Sequence, residues 1–395
     1  MTDAQPPPAR PPYRPSRTWG RRLIAAADGA AVVDALVAAG RTVGVEDLAA
    51  SLGLTVPRAR AAVRAAQARR LVEVTGDGVT RRPRPAGAVL AVDVGGTKIR
   101  AALADRHGEV VAELVVPAAQ RGLVDQIAQV QTDLVDRAGP GVGPVLAGCV
   151  GIPACYDPVA DRAWNAGNLP ELYELRPAKA LRAALGLPVV LAQDVRLAAA
   201  GERWRGRAKG RDDFVVLCLG TGVALGIVIN AEVYGGGQGG AGEISYLPLG
   251  NDPFAAEHRD RGPYEDAVSG PALARRYAGE TPPAGPGQGA REARLVFEAA
   301  ATGDAAAARV LDREAELLAM GIAAVTATID PQLVVLAGGL GSNPALLDPV
   351  RRHIGRLLHR PPAIEPSPLA HRGPLHGAIA VALASVPPAR AAQTA

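Results

Sequence analysis

The sequence predicts an α/β protein in which a small, mainly helical unit precedes a much larger domain of alternating strands and helices. Three observations lead to this prediction. The hydrophobic pattern has a helical period up to about residue 74. From residue 88 onward, short apolar runs alternate with helical segments, including one long helical region from about 290 to 328. The two parts also differ in charge. At 395 residues the chain is long enough for two or three domains.

The charge of the chain is unevenly distributed. Residues 1–88 hold 14 Arg, no Lys and 7 acidic residues, a net charge of +7. The remaining residues hold 29 basic and 32 acidic side chains, a net charge of −3. A basic N-terminal unit on a mildly acidic body favours a polyanionic partner such as DNA. Solvated surface arginines are the alternative interpretation.

The composition favours a globular protein of the cytoplasm. The sequence has neither an apolar run of membrane-spanning length nor the apolar core of a signal peptide, so we expect no membrane partner. Cys149, Cys155 and Cys218 are scattered, and we interpret them as buried small hydrophobic residues. Residues 1–18 are Pro-rich and polar, which predicts a disordered tail.

The N-terminal unit is predicted over residues 19–80. One helix ends at Gly40, the stretch VEDLAASLGL forms a second, and a third follows Thr55 and Pro57, which suit an N-cap and a first helical turn. The stretch VEVTGDGVTRR predicts a β-hairpin. This order resembles a winged helix-turn-helix, and residues 81–87 predict a stiff, Pro-rich linker.

Three predicted strands of the large domain end in glycine turns, within AVDVGGTKI, CLGTGVALG and VVLAGGLG. Glycines allow backbone N–H groups to approach phosphate oxygens. Each turn alone is more often a plain turn, but together they favour a nucleotide cleft, with ATP and Mg²⁺ as candidate ligands. The candidate nucleotide-binding residues are Asp93, Gly95, Gly96, Thr97, Lys98, Gly220, Thr221, Gly222, Gly338 and Gly339. The Asp93 carboxylate would hold the magnesium ion through water.

Asp194 directly follows the apolar run LPVVLAQ. A carboxylate at the end of a strand is well placed to take a proton from a sugar hydroxyl that attacks a γ-phosphate. The alternative is an N-cap aspartate for the following helix, and the local sequence by itself favours the cap.

Six motifs, taken in order, resemble those of the ROK family of sugar kinases and sugar-responsive repressors. They are AVDVGGTKIRAAL, GIPACYDP with NAGNLP, LAQDVRLAAAGE, LGTGVALGIVI, GGGQGGAGEIS and LVVLAGGLG. The resemblance covers residues 88–385 and implies a two-lobed, actin-like ATPase fold of the ribonuclease H-like type over residues 88–395. It places lobe 1 at about 88–203 plus a C-terminal helix at about 376–390, and lobe 2 at about 204–375.

The same resemblance implies roles for individual residues. Asp194 falls on the catalytic base of the family's kinases. The implied sugar-binding residues are Asn168, Gln193, Asp194, Glu243, Tyr246 and Glu265. Gln193 replaces the usual Asn, and Ala224 replaces an expected glycine. The family's zinc site takes a His and three Cys, whereas this chain has Tyr246, Ala256, His258 and Pro263 at those positions. We therefore predict no metal site and no zinc.

The N-terminal unit matches the transcriptional regulators of that family. The sequence thus predicts a transcriptional regulator that responds to a sugar or sugar phosphate, and we expect this regulator to be a repressor. It would bind double-stranded operator DNA as a homodimer or a dimer of dimers, with Arg58, Arg60 and Arg64 as candidate DNA contacts. An ATP-dependent sugar kinase, alone or bifunctional, is the alternative. The altered sugar site makes us lean away from an enzyme, and a scaffold without ligand or activity is a third interpretation.

Overall fold

The computed structural model describes residues 17–82, 86–119, 121–166, 169–237, 239–279 and 288–387. Most of the predicted tail and residues 83–85 of the predicted linker lie outside these ranges. The helices of the described residues are α1 (Arg17–Ala39), α2 (Val45–Leu52), α3 (Val56–Ala68), α4 (Leu123–Ala138), α5 (Pro177–Leu185), α6 (Asp194–Arg205), α7 (His258–Arg261), α8 (Pro263–Val268), α9 (Gly270–Ala278), α10 (Gln288–Ala301), α11 (Ala305–Ile329), α12 (Gly338–Gly341), α13 (Pro344–Leu357) and α14 (Gly373–Ser385). None of the described helices combines the length and the apolar character needed to cross a membrane.

In the part of the chain that the structure describes, the strands lie in two large sheets and two short hairpins. They are β1 (Val72–Thr75), β2 (Gly78–Arg81), β3 (Ala88–Val94), β4 (Lys98–Asp105), β5 (Val110–Pro117), β6 (Val145–Ile152), β7 (Cys155–Asp157), β8 (Arg162–Trp164), β9 (Val189–Gln193), β10 (Phe214–Leu219), β11 (Val223–Ile229), β12 (Glu232–Val233), β13 (Leu333–Ala337) and β14 (Ala363–Pro366).

The two large sheets have the same topology. The first has the order β5-β4-β3-β6-β9 and the second has the order β12-β11-β10-β13-β14. In each, three strands form an antiparallel meander and two more add in parallel. Parallel strands require crossover helices, and these cover both sheets with helical layers. The chain therefore contains two similar α/β lobes.

Three helices and a hairpin form the N-terminal unit in the order that the sequence predicts. Helices α1 to α3 precede the β1–β2 hairpin, and an isolated bridge joins Val43 to Val79 of β2. A small core of Val32, Leu36 and Leu48 together with Val63 holds these parts together. Burial of such aliphatic side chains removes apolar surface from water and stabilises the unit.

Helix α1 ties this unit to the body. It is 23 residues long, and its N-terminal half places Leu23, Ile24 and Ala27 in the same apolar core as α6 and α14. Its C-terminal half supplies Val32 and Leu36 to the smaller core. Because one continuous helix serves both cores, the N-terminal unit is packed on the body and is not merely tethered to it.

Candidate functional site: the inter-lobe cleft and the helix behind it

The carboxyl ends of β3, β6 and β9 meet at one edge of the first sheet. The register pairs Asp93 with Gly151 and pairs Gly151 with Ala192, two residues before Asp194. Neighbouring strands lie about 4.8 Å apart, so the backbones of Asp93 and Ala192 are separated by about 10 Å across the glycine between them. The topology therefore brings the two aspartates that the sequence singles out to the same edge.

Asp93 is largely buried at the end of β3. Its Oδ2 lies 3.8 Å from Nη1 of Arg100, and burial raises the pKa of the Asp93 carboxyl to about 6. The loop that follows is closed by a hydrogen bond from the Gly95 amide to the Lys98 carbonyl, with an N···O distance of 2.9 Å. Thr97 and Lys98 are exposed at the tip of this loop, where they are free to approach an anion.

Asp194 is the first residue of α6, and Gln193 occupies the N-cap position. The expectation of an N-cap aspartate is therefore wrong. Asp194 Oδ1 accepts a hydrogen bond of 2.7 Å from the amide of Val195. Burial and the negative charge of Asp93 raise the pKa of Asp194 to about 7. A carboxyl group whose pKa lies near neutral pH can both accept and return a proton.

Glu243 bridges the two lobes. Its Oε1 accepts a 2.8 Å hydrogen bond from Nε2 of Gln193, at the end of β9 in the first sheet. Its Oε2 accepts a 2.6 Å hydrogen bond from Nδ2 of Asn165. Gln193 is buried, and its Oε1 has no hydrogen-bond partner among the described residues. Gln193 and Glu243, two of the implied sugar-binding residues, thus lie in contact, and both amide partners hold the carboxylate in one orientation.

Asn165 was missed by the sequence analysis. Its backbone has a φ of 53°, in the left-handed region that asparagine tolerates better than most residues. The stretch NAGNLP carries two asparagines, and the family pattern drew attention only to the second. Asn168 lies outside the described residues, so its predicted role stays a prediction.

The second and third glycine turns lie side by side in the second sheet. Strands β10 and β13 are parallel, and Cys218 is paired with Ala337 just before both turns. Gly338 has a φ of 84°, and a Cβ on it would lie 2.4 Å from the carbonyl oxygen of Leu219. Only glycine fits at this position, because the end of β13 approaches the end of β10 too closely for a Cβ atom. Gly339 and Thr221 are exposed next to this contact.

Glu265 lies against the second glycine turn. Its Oε2 accepts a 3.1 Å hydrogen bond from the amide of Val223, and a Cβ on Gly222 would lie 2.5 Å from that oxygen. Glu265 was expected to contact a sugar, and the structure adds a role in holding the loop that follows β10. Tyr246, the other expected contact, has a relative exposure of 44%.

The positions of the family's zinc ligands do not fit a zinc ion. Ala256 and Pro263 have no ligating side chain, and Tyr246 replaces the imidazole. His258 is engaged through Nδ1 with Oδ2 of Asp266, at 2.9 Å. An ion pair or hydrogen bond thus joins α7 to α8 in this segment.

The three candidate DNA contacts on α3 fall on two different faces. Arg60 and Arg64 lie four residues apart and are exposed, and Arg60 pairs with Glu46 at 2.7 Å. Arg58 points the other way. Its Nε lies 2.6 Å from Oδ2 of Asp28, and its Nη1 pairs with Asp212 of the body. The guanidinium of Arg58 is thus occupied inside the protein, and its predicted role as a DNA contact stays a prediction.

Asp28 also binds Arg203 near the end of α6. Oδ1 of Asp28 lies 2.8 Å from Nε of Arg203, and the two residues are 4% and 1% exposed. We call Arg58, Asp28, Arg203 and Asp212 the arginine–aspartate network. It joins α3 to the helix that begins at Asp194.

Comparison with known proteins identifies this architecture. A model of the ROK family matches residues 89–385. The chain belongs to the ROK family. The ROK glucokinase of Streptomyces griseus, solved in complex with glucose and AMPPNP, is 28% identical in sequence, with a TM-score of 0.62, and the match covers 75% of this chain and 99% of that one. The chain therefore has the actin-like fold of ROK sugar kinases.

Curated ROK relatives are mostly kinases. The glucokinase of Streptomyces coelicolor is 31% identical over 49% of this chain, and the match spans 59% of that enzyme. The N-acetylmannosamine kinase of Yersinia pseudotuberculosis is 29% identical over 58% of this chain and 75% of that enzyme. These relatives do not support the sequence-based leaning away from an enzyme.

A ROK transcriptional regulator is also similar in fold. This homolog of the E. coli MLC protein has a TM-score of 0.67 and 18% identity, over 92% of this chain and 97% of that one. The glucokinase match covers 75% of this chain. The regulator thus matches in fold a longer part of the chain than the kinase does.

Proposed function

We propose that this ROK protein is a sugar- or sugar-phosphate-responsive transcriptional regulator that binds operator DNA as a dimer. The observation that carries the proposal is that α6 begins at Asp194 in the cleft and is joined near its other end to α3. Twelve helical residues span about 18 Å, which bridges the cleft and the N-terminal unit.

The helical unit would bind DNA through the exposed face of α3. Arg60 and Arg64 project from this face, and the surface pair between Arg60 and Glu46 is weak enough to exchange for a phosphate contact. In a winged helix-turn-helix the second helix of the turn enters the major groove, where Arg pairs with guanine or with phosphate. Helix α3 would be that helix and β1–β2 the wing.

A sugar in the cleft would act on α3 through α6. Gly210, just after α6, lies so close to the turn between α2 and α3 that a Cβ on it would be 2.7 Å from the carbonyl oxygen of Gly53. The arginine–aspartate network makes a second contact between the same parts. A ligand that favours one arrangement of the lobes then favours one placement of the two α3 helices in the dimer.

The decisive experiment measures fluorescence anisotropy of the full chain with DNA from around its own gene and with an unrelated duplex of equal length. Both are titrated at physiological salt, with and without a panel of sugars and sugar phosphates. The regulator is supported if the chain binds the DNA from around its own gene selectively and if one sugar changes that affinity. Equal, salt-labile binding to both duplexes would contradict it.

A sugar kinase, alone or combined with regulation, is the second candidate function. It is favoured by the pKa of Asp194 near 7 and by the kinase relatives. In that reaction Asp194 takes the proton of a sugar hydroxyl as its oxygen attacks the γ-phosphorus of ATP, and ADP leaves. Sugar-dependent ADP release by the full chain tests it directly. ADP release that does not increase when a sugar is added would exclude a sugar kinase.

A further inference from the structure

A cavity separate from the inter-lobe cleft lies beside α1, on a face of this helix adjacent to the one that carries Asp28. It has a volume of about 530 Å³ and is bounded by α1, the end of α3, the turn between β4 and β5, and the end of α14. This volume falls in the range of about 300–1,000 Å³ of small-molecule sites. Its lining residues include none of the candidate residues of the inter-lobe cleft.

The walls of this inter-unit pocket are apolar. Leu23 and Val33 of α1 face Val381 and Leu383 of α14, and Leu71 closes the side next to the hairpin. These side chains are part of the surrounding core, and each is nearly buried. An occupant with an aliphatic or aromatic body would remove the remaining apolar surface from water.

Among the described residues, two arginines of the pocket have no carboxylate partner. Arg106 is 8% exposed, its Nη2 donates to the carbonyl oxygen of Arg69 at 3.1 Å, and its buried Nε has no hydrogen-bond partner in the described part of the chain. Arg69 donates to the carbonyl oxygens of Ala65 and Ala384. Within the described part of the chain, neither guanidinium has a carboxylate within ion-pair distance. Two like charges confined in this way are costly unless an anion joins them.

The pKa shifts of Arg69 and Arg106 agree with a site that lacks its anion. Burial lowers the pKa of both arginines, and the positive charge of Arg69 lowers that of Arg106 further. Arg22 is exposed on α1 at the same pocket and adds positive charge at its mouth.

We propose that the inter-unit pocket binds a small organic anion with an apolar body, such as a medium-chain carboxylate. Its carboxylate lies against Arg106 and Arg69, and its apolar body lies between α1 and α14. The free Nε of Arg106 donates one of the charge-assisted hydrogen bonds. Because the ligand contacts α1, α3 and α14 together, it stabilises the packing of the N-terminal unit on the body. This proposal does not depend on the function proposed for the cleft.

The test measures thermal unfolding and titration calorimetry of the full chain with three probes. Octanoate carries both features, octan-1-ol lacks the charge, and acetate lacks the apolar body. We expect octanoate to bind and to raise the melting temperature in a concentration-dependent way, as a ligand specific for the folded state must. Octan-1-ol and acetate should bind at least about tenfold more weakly.

Two variants probe the two halves of the site. Arg106→Gln removes one charge and should weaken octanoate binding about tenfold or more. Gly29→Leu fills the pocket from α1: a Cβ on Gly29 meets no atom within 4 Å, and replacing a helical glycine favours folding. It should abolish octanoate binding without loss of stability. Arg313→Gln, at an exposed position on α11, is the matched control and should bind as the wild type does.

Several outcomes would overturn the proposal. They are no shift with octanoate, an equal shift with octan-1-ol, and octanoate binding unchanged in both Arg106→Gln and Gly29→Leu. Binding that occurs only after residues 388–395 are removed would make the C-terminal segment of the chain the natural occupant, and this also contradicts a free organic anion. Should Arg106→Gln fail to fold, Gly29→Leu and the three probes still decide.

Discussion

At the scale of single residues, the proton transfer proposed for a kinase reaction in the cleft depends on the ionisation of Asp194. Its pKa is raised to about 7 by burial and by Asp93. A raised pKa means that the folded state holds the proton until near neutral pH, so the group acts as a base only above that range. The rate of a reaction that needs the carboxylate then increases as the pH rises towards 7 and levels off above it.

We predict that Asp194→Asn abolishes sugar-dependent ADP release, because an amide cannot accept the proton. In the wild type this release should increase about tenfold per pH unit below 7. Asp125→Asn, an exposed first-turn aspartate of α4, is the control and should behave as the wild type. Equal sugar-dependent rates in Asp194→Asn and the wild type would exclude Asp194 as the base.

A second residue-scale prediction concerns Glu314, which is fully buried in α11. Burial raises the pKa of Glu314 to about 8, although its Oε2 lies 2.9 Å from Nη1 of Arg276. In the unfolded chain the group titrates near 4.3. The folded state therefore binds the extra proton between these values, and its stability falls as the pH rises from about 4.3 to 8.

Glu314→Gln should flatten this dependence, because an amide stays neutral. Urea unfolding at pH 5.5 and pH 8 measures the difference. The wild type should lose stability between these two values, and the variant should lose less. Glu316→Gln, half-exposed on the same helix, controls for the charge change. The same loss in Glu314→Gln as in the wild type would contradict the prediction.

At the scale of elements, α3 presents two faces with different contacts. Arg60 and Arg64 form the outer face, and Arg58 forms the inner one. We predict that Arg60→Ala and Arg64→Ala each weaken operator binding and reduce the slope of log K against log salt by about 1. Arg313→Ala, exposed on α11, should leave the slope unchanged. A wild-type slope in the double variant would place DNA binding on another surface.

The inner face of α3 tests how α6 and α3 are coupled. Arg58→Met keeps an unbranched apolar stem but removes the guanidinium and its ion pairs with Asp28 and Asp212. We predict that DNA binding persists, while the ratio of DNA affinities with and without the sugar moves towards one. When two sites are coupled in this way, one ligand typically changes the affinity for the other about 5–150-fold. Anisotropy measures both quantities.

Arg60→Met provides the matched control for this coupling, since it should weaken DNA binding equally with and without sugar. If Arg58→Met instead reduces DNA affinity as Arg60→Met does and leaves the ratio intact, Arg58 acts at the DNA and the network is structural only.

At the scale of the whole molecule, α1 packs the N-terminal unit against the body. Leu23, Ile24 and Ala27 are buried with α6 and α14, so the unit cannot leave without exposing that core. We predict one cooperative unfolding transition, seen at the same urea concentration by far-UV circular dichroism and by tryptophan fluorescence. Two separated transitions would show that the units are independent.

The sequence by itself determined the strand ends, the glycine turns and the position of Asp194 after β9. These follow from local rules: apolar runs form buried strands, glycine permits close backbone approaches, and a motif keeps its spacing along the chain. The helical region predicted over 290–328 became α10 and α11, because Asp304 caps a new helix through the amides of Ala306 and Ala307. The residues Gly303 and Asp304 also mark this helix boundary in the sequence.

The tertiary structure alone decided which partners the polar side chains take. Arg58 and Asp212 lie 154 positions apart, and Asn165 and Glu243 lie 78 positions apart. No local pattern encodes such a pair, because it depends on how two lobes and an N-terminal helix pack. The same reason applies to the position of α1. Its sequence shows an apolar helix, but only packing against α6 and α14 makes this helix part of the body. Only that packing forms a pocket around Arg69 and Arg106.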